Sequence, residues 1–268
     1  MTTIRRITSP QNELVKRWMS LRDAKHRRAE RLFLLEGQRL VDEALRSSLN
    51  VVAVCSSDVS WLRDARVPDA CERYEVTPAI VAKCSTAETP QPVFAVAELP
   101  AARTDFDWAK IELALLLDAI QDPGNMGAIL RAAAAAGVDL VVIGAGCVDL
   151  YSPKAVRAAM GATFRVPVAH RDLEEVVPLL KKGGCRILAG VQREDAEDCF
   201  RMKLRAKRIA WIVGNEGNGI RDSLLTRVDS LVTIPMSRRT ESLNVAQATA
   251  VLLFETVRRK RYGDSMVE

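Results

Sequence analysis

Residues 111–120 read IELALLLDAI, an apolar run without the alternation of a half-exposed strand. A central strand of a parallel sheet has this character, because helices cover both of its faces. The sequence that follows supplies the helices and the further strands. GNMGAILRAAAAAG reads as a helix closed by Gly137 at the position after its last turn. Then come strand DLVVIGAG, helix SPKAVRAAM, strand RVPVA, helix DLEEVVPLLKK, strand RILAGV, strand RIAWIVGNEG, a short helix, strand SLVTIPM and the helix LNVAQATAVLLFETVRRKRYG. This is the pattern of an α/β domain built on a parallel sheet, with a size of about 160 residues.

A second, shorter alternation precedes it. FLLEG at 33–37, VVAVCSS and QPVFAVAEL at 91–99 read as strands, and QRLVDEALRSS and the segment opened by Thr77-Pro78 read as helices. LPAARTDFDWAK at 99–110 has no period and serves as the linker. The expected division is a smaller α/β domain at 1–104 and a larger one at 105–268. Ahead of both alternations lies a basic stretch. Arg5, Arg6, Lys16, Arg17, Arg22, Lys25, Arg27 and Arg28 face only Glu13, Asp23 and Glu30. Ser9-Pro10 reads as a helix start, with Leu14, Trp18 and Leu21 at helical spacing. A solvated basic face and an RNA-phosphate contact surface are equally open readings of it.

The net charge is +5, with 27% of residues charged and 48% hydrophobic, as in a folded protein able to meet a polyanion. No apolar run has the length of a membrane span, and MTTIRRITSPQNELVKRW lacks a secretory core. The six cysteines have no CxxC spacing and only His26 and His170 are present, so no metal is expected. Scattered thiols without an export signal point to a cytoplasmic protein. A nucleophilic cysteine has no local support.

Three segments carry chemistry-bearing residues. DAIQDPGNMGAILRAAAAAGV, 118–138, turns from a strand into a helix through Pro123, Gly124 and Gly127, with Asn125 in the turn and Arg131 on the helix. Parallel α/β domains place ligands just past the carboxyl ends of their strands, although a plain strand-to-helix turn explains the same residues. IVGNEGNGI, 212–220, has Gly214, Gly217, Asn218 and Gly219, all able to adopt unusual backbone angles. It lacks the Lys-Ser/Thr of a phosphate loop and the GxGxxG spacing, and Glu216 would repel phosphate. A carboxylate there suits a cationic or hydroxyl-bearing ligand. IPMSRRTESLNVAQATAVLLFE, 234–255, leaves a strand through Pro235 into a polar loop before an apolar helix. Ser242 or Asn244 caps that helix, which is compatible with ligand binding at the same N-terminus.

In this order, over roughly 111–260, PGNMGAILRAA, WIVGNEGNGI and IPMSRRTESLNVAQA resemble the three motifs of the SpoU, or TrmH-like, branch of the knotted SPOUT methyltransferases. FLLEGQRLVDEAL and the basic helix before it resemble, more loosely, the substrate-binding domain fused to many members. The resemblance implies a deep trefoil knot in the C-terminal α/β domain, which periodicity alone cannot reveal, and a homodimer with the last helix at its interface. It implies S-adenosylmethionine held by main-chain groups of Gly214, Ile234, Met236 and Leu243, with Gly144 of the GAG turn in the same cofactor-binding set. The implied reaction is methyl transfer to a ribose 2′-hydroxyl of RNA, with ribosomal RNA of the 23S type as the expected substrate. Arg131 is nominated as the catalytic residue. A guanidinium stays protonated in proteins, so its expected role is to stabilise the developing alkoxide and grip the neighbouring phosphate. Asn125 orients Arg131 or the ribose, and Glu216, Ser242 and Asn244 complete the polar network. The sequence departs from the family pattern at Arg238, where a glycine is usual.

Other readings stay open. They are ribose methylation of transfer RNA, base methylation by the same fold, and a non-enzymatic RNA-binding assembly factor. A nucleotide-dependent oxidoreductase rests only on the two-glycine match at 144–146.

Overall fold

In the computed structural model, which describes residues 3–63, 67–204, 206–237 and 242–263, the chain opens with a strand rather than a helix. Strand β1 spans Ile4–Ile7. Ser9-Pro10 forms a turn instead of a helix start: Ser9 Oγ accepts the Gln11 amide at 3.2 Å, and the Ser9 carbonyl accepts the Asn12 amide at 3.1 Å. Asn12 is the true cap, accepting from the Leu14 amide, and α1 runs from Glu13 to Ser20. Asp23 caps a second helix, α2 (Ala24–Glu30). There follow β2 (Leu32–Glu36), α3 (Gln38–Leu45), β3 (Val51–Ser56), α4 (Val59–Leu62), β4 (Glu72–Val76), α5 (Pro78–Cys84) and β5 (Val93–Glu98). As expected, Thr77 caps α5.

The five strands form one sheet in the order β1-β4-β3-β5-β2. The pairs β1–β4 and β3–β4 are parallel, and β5 is antiparallel to both β3 and β2. Alternate residues of β2 serve opposite faces, as strand geometry demands. Phe33 and Leu35 join the core beneath α3, whereas Leu34 joins the core of Trp18, Tyr74 and Phe94. Trp18 meets the rings of Tyr74 and Phe94 edge-on at 5.2 and 5.6 Å.

Much of the basic stretch has structural work. Arg27 is buried and donates to the carbonyls of Leu21 and Arg22 and to Asp149. Arg22 donates to the carbonyls of Lys83 and Ser85. Arg5, Arg6, Lys16 and Arg17 lie in ion pairs with Glu72, Glu75, Glu13 and Glu30. Lys25 and Arg28 are exposed and make no side-chain bond to another described residue.

The larger sheet begins with β6 (Leu113–Leu117), buried at all five positions as its apolar run requires. Next are α6 (Pro123–Ala136), β7 (Leu140–Ile143), α7 (Pro153–Ala159), β8 (Val168–His170), α8 (Leu173–Lys182), β9 (Arg186–Gly190), β10 (Glu197–Asp198), β11 (Ile209–Val213), α9 (Asp222–Leu225), β12 (Ser230–Thr233) and α10 (Val245–Tyr262). The order is β10-β12-β9-β11-β6-β7-β8, and every pairing is parallel. Helix α10 packs against α6 and against the sheet, where the buried indole of Trp211 donates to Thr256 Oγ1 at 2.9 Å.

The two units of the structure are not contiguous in sequence. One comprises residues 1–101 and 149–165, the other 102–148 and 166–268. The single division at 104/105 therefore misses an excursion. Residues 149–165, which include α7, return to the first unit. Asp149 pairs with Arg27, Arg157 with Glu36 and Arg165 with Glu43. Tyr151 packs on Phe33 with ring centroids 5.0 Å apart, and Val156 is buried in the same core. Locally, SPKAVRAAM reads as an ordinary crossover helix, and its packing partner lies some 120 residues away.

Candidate active site

The site forms where β9, β11 and β12 end together, at the carboxyl edge of the parallel sheet. Gly214 directly follows β11. A Cβ there would lie 2.3 Å from the carbonyl of Gly219, so no other residue fits without displacing the backbone. Asn215 and Gly219 exchange two main-chain hydrogen bonds, of 2.9 and 3.0 Å, which close the loop on itself. The Asn215 side chain pins it: Oδ1 accepts the Gly217 and Asn218 amides, and Nδ2 donates to the Ala119 carbonyl, all at 2.9 Å. Of the four residues expected to take unusual angles, only Gly219 has a positive φ, 70°. Buried Asp118 holds the far side of the loop by accepting the Arg221 amide at 2.9 Å and its Nε at 2.8 Å.

This loop presents Glu216 to the start of α6. Its carboxylate accepts Asn125 Nδ2 at 2.9 Å and the amides of Gln121 and Asp122 at 3.4 and 3.3 Å. Partial burial pushes the carboxyl up, but the bonds from Asn125 and from the main chain outweigh it and hold the group below its ordinary value. Glu216 is thus an ionised acceptor beside a helix N-terminus, where negative charge is favoured. Because a carboxylate only accepts, the Asn125 carboxamide must turn its nitrogen toward Glu216. Its oxygen then accepts Asn244 Nδ2 at 2.9 Å. Asn244 Oδ1 in turn accepts the amides of Ala246 and Gln247 and caps α10. Asn125 itself is not a cap. Asp122 fills that position, and Asn125 supplies its third-residue amide.

One relay of aligned amide dipoles therefore runs from the α10 N-terminus through Asn244 and Asn125 to Glu216. It joins all three sequence segments. Beside it is a cavity of about 650 Å³, lined by Glu216, Asn244, Ser242, Leu243, Ile234 and Met236 among others, with Gly190 and Gly214 in its wall. Its size is that of a small-molecule site.

Two expected residues are not brought into this group. Arg131 is exposed on α6, does not line the cavity, and makes no hydrogen bond or ion pair with any described residue. Gly144 directly follows β7, away from β9, β11 and β12 in the strand order, and does not line the cavity. Its amide donates to the Leu117 carbonyl at 2.9 Å, and a Cβ there would meet Leu173 at 2.8 Å, so it is a packing glycine. Arg238 and Glu241 lie outside the described residues.

Sequence reasoning missed Asn215, Asp118, Arg221 and the segment after β9. Asp118 did leave a signal, as a lone acid ending an apolar strand. Burial pushes Cys71, Cys84 and Cys199 up to about 11 and raises Cys55, Cys147 and Cys185 as well, so none is a ready thiolate. Among the described residues no His, Cys, Asp and Glu cluster is placed to hold a metal, and no helix is long and apolar enough to cross a membrane.

The profile of the SpoU rRNA Methylase family matches residues 112–254, a stretch that contains the first two segments and all but the last residue of the third. The chain belongs to this family. The profile of the MRM3-like substrate binding domain matches residues 12–95. The chain is 35% identical to the 23S rRNA (guanosine(2553)-2'-O)-methyltransferase RlmP of Bacillus subtilis, with 94% of this chain and 98% of that protein covered. The fold matches an AdoMet-bound rRNA methyltransferase from Sinorhizobium meliloti with a TM-score of 0.84 at 29% identity, covering 96% of this chain and 98% of the other. A TrmH-family RNA methyltransferase structure from Porphyromonas gingivalis matches with a TM-score of 0.81 at 33% identity, over 91% and 97% of the two chains. The family and the parallel α/β fold expected from the three motifs are borne out, and SpoU methyltransferases with AdoMet bound are among the structural neighbours.

Proposed function

We propose that this chain transfers the methyl group of S-adenosylmethionine to a ribose 2′-hydroxyl of ribosomal RNA, with the cofactor held in the cavity beside the Asn125–Glu216–Asn244 relay. The observation that carries the reading is this relay, which draws residues from all three segments to one cavity. The cavity fits the cofactor in three respects. Its volume is sufficient, Gly214 and Gly190 bring bare main chain to its wall, and Ile234, Met236 and Leu243 offer apolar surface to an adenine ring. When bound, S-adenosylmethionine supplies a methyl group on a positively charged sulfur. Glu216 has no cationic partner among the described residues, so its negative charge favours a cationic ligand nearby.

A ribose hydroxyl is a weak nucleophile at neutral pH, and the site must favour its alkoxide and align it. Arg131 does this in our reading. Its charge has no partner among the described residues, so it is available to steady the developing alkoxide and an adjacent phosphate. Asn125 cannot swing freely, because both ends of its carboxamide are bonded, and it orients the ribose. Ser242, exposed on the cavity wall, completes the polar surface.

Two structural proposals accompany this reading. The first is the trefoil knot. Its support is the meeting of the loops after β9, β11 and β12 with the start of α10 at one cavity. The second is a homodimer through α6 and α10. Helix α10 exposes Phe254, 48% accessible, and α6, packed against it, exposes Ala128 and Ala135. Lys25 and Arg28 of the first unit are assigned as RNA phosphate contacts.

Arg131→Ala is expected to abolish transfer while cofactor affinity, measured by calorimetry, stays within about threefold of wild type. Full activity in this variant would sink the assignment. Ribose rather than base methylation is read from alkaline resistance of the modified RNA, because a 2′-O-methyl group blocks backbone cleavage.

A further inference from the structure

The cavity wall carries opposite charges that none of the three motif segments supplies. Arg193, in the loop after β9, and Asp222, the first residue of α9, both line it. Arg193 is held in one orientation by Asp195, with Nε–Oδ1 at 2.9 Å and Nη2–Oδ2 at 2.7 Å. These bonds occupy two of the five N–H groups of a guanidinium and leave three for a ligand. Asp195, by hydrogen bonding and charge, and more weakly Asp222 hold Arg193 above its ordinary value, so Asp222 lies within electrostatic reach of the guanidinium. The wall also offers apolar surface from Ile234, Leu243 and Leu252.

Such a wall matches a ligand with a flat apolar body and a zwitterionic end. The geometry points to Arg193 as the group that binds the α-carboxylate of S-adenosylmethionine, and to Asp222 as the acceptor for its α-ammonium. This rests on the reading that the cavity holds the cofactor. Asp195 is a positioning residue: it fixes the planar fork so that a carboxylate meets parallel N–H donors. An exposed Arg193–Asp195 pair contributes little to folding, so substitution at 193 leaves the fold intact.

The test is calorimetry on the full chain with two adenosyl thioethers. S-adenosylhomocysteine carries the amino-acid end and 5′-methylthioadenosine does not. In Arg193→Gln, S-adenosylhomocysteine is expected to weaken on the order of tenfold, with 5′-methylthioadenosine unchanged. Asp222→Asn is expected to narrow the gap between the two ligands in the same direction. Equal losses for both ligands in Arg193→Gln, or none for either, overturn the assignment. Gly214→Ala separates the two levels. If it retains both ligands at wild-type affinity, the placement of the cofactor in this cavity fails. If it loses both while Arg193→Gln loses neither, only the assignment of Arg193 fails.

Discussion

Two polar networks in this protein join residues far apart in sequence, and they handle charge in opposite ways. In the first unit, the Glu36 carboxylate accepts Ser85 Oγ, the amide and hydroxyl of Thr86, and Nη1 of Arg157. Arg27 with Asp149 and Arg165 with Glu43 repeat the theme of a carboxylate neutralised by an arginine. In the second unit, Glu216 receives only amide donors, and Arg131 has no partner among the described residues. Internal neutralisation gives a staple that holds α7 in place. Charge left unneutralised beside a cavity is available to a ligand.

The comparison breaks most sharply at Asn125. Asn125→Ala is expected to lower kcat about 100-fold, as loss of one positioned donor does, while the unfolding free energy changes by no more than about 1 kcal/mol. A stability loss without an activity loss would make the relay a second staple. Gly214→Ala should cost about 1–3 kcal/mol from the forced shift of the Gly219 backbone, and cofactor affinity should fall with it. Denaturant unfolding and calorimetry read the two effects separately.

Arg157→Ala tests the other side. The Glu36 side chain is only 7% exposed, and without its cation it should destabilise the first unit by about 1–2 kcal/mol. Cofactor affinity should not move, and a drop in affinity would mean that the excursion serves the site. The smallest effect concerns pH. The carboxyl of Glu216 is held below its ordinary value, so its contribution is present above that value and is lost as pH falls through the lowered one. Cofactor affinity should therefore be flat near neutrality and decline only at acidic pH. The decline should be absent in Glu216→Gln.

The sequence by itself determined the parallel α/β class, through the unbroken run at 111–120 and the alternation behind it, and it determined the family through three short segments. It placed Asn125, Glu216, Ser242 and Asn244 on one list through the resemblance of the three segments to that family's motifs. It did not reveal that Asn215 and Asp118 hold the loop that aims Glu216. Their partners, Ala119 and Arg221, lie 96 and 103 residues away, and periodicity reports nothing beyond a few turns. Gly144 looked like a ligand glycine because its strand-end setting is locally the same as that of Gly214. Only the strand order puts one against Leu173 and the other in the wall of a cavity. The return of residues 149–165 to the first unit was likewise decided in three dimensions. A helix pattern fixes which face is apolar and leaves open which distant core that face meets.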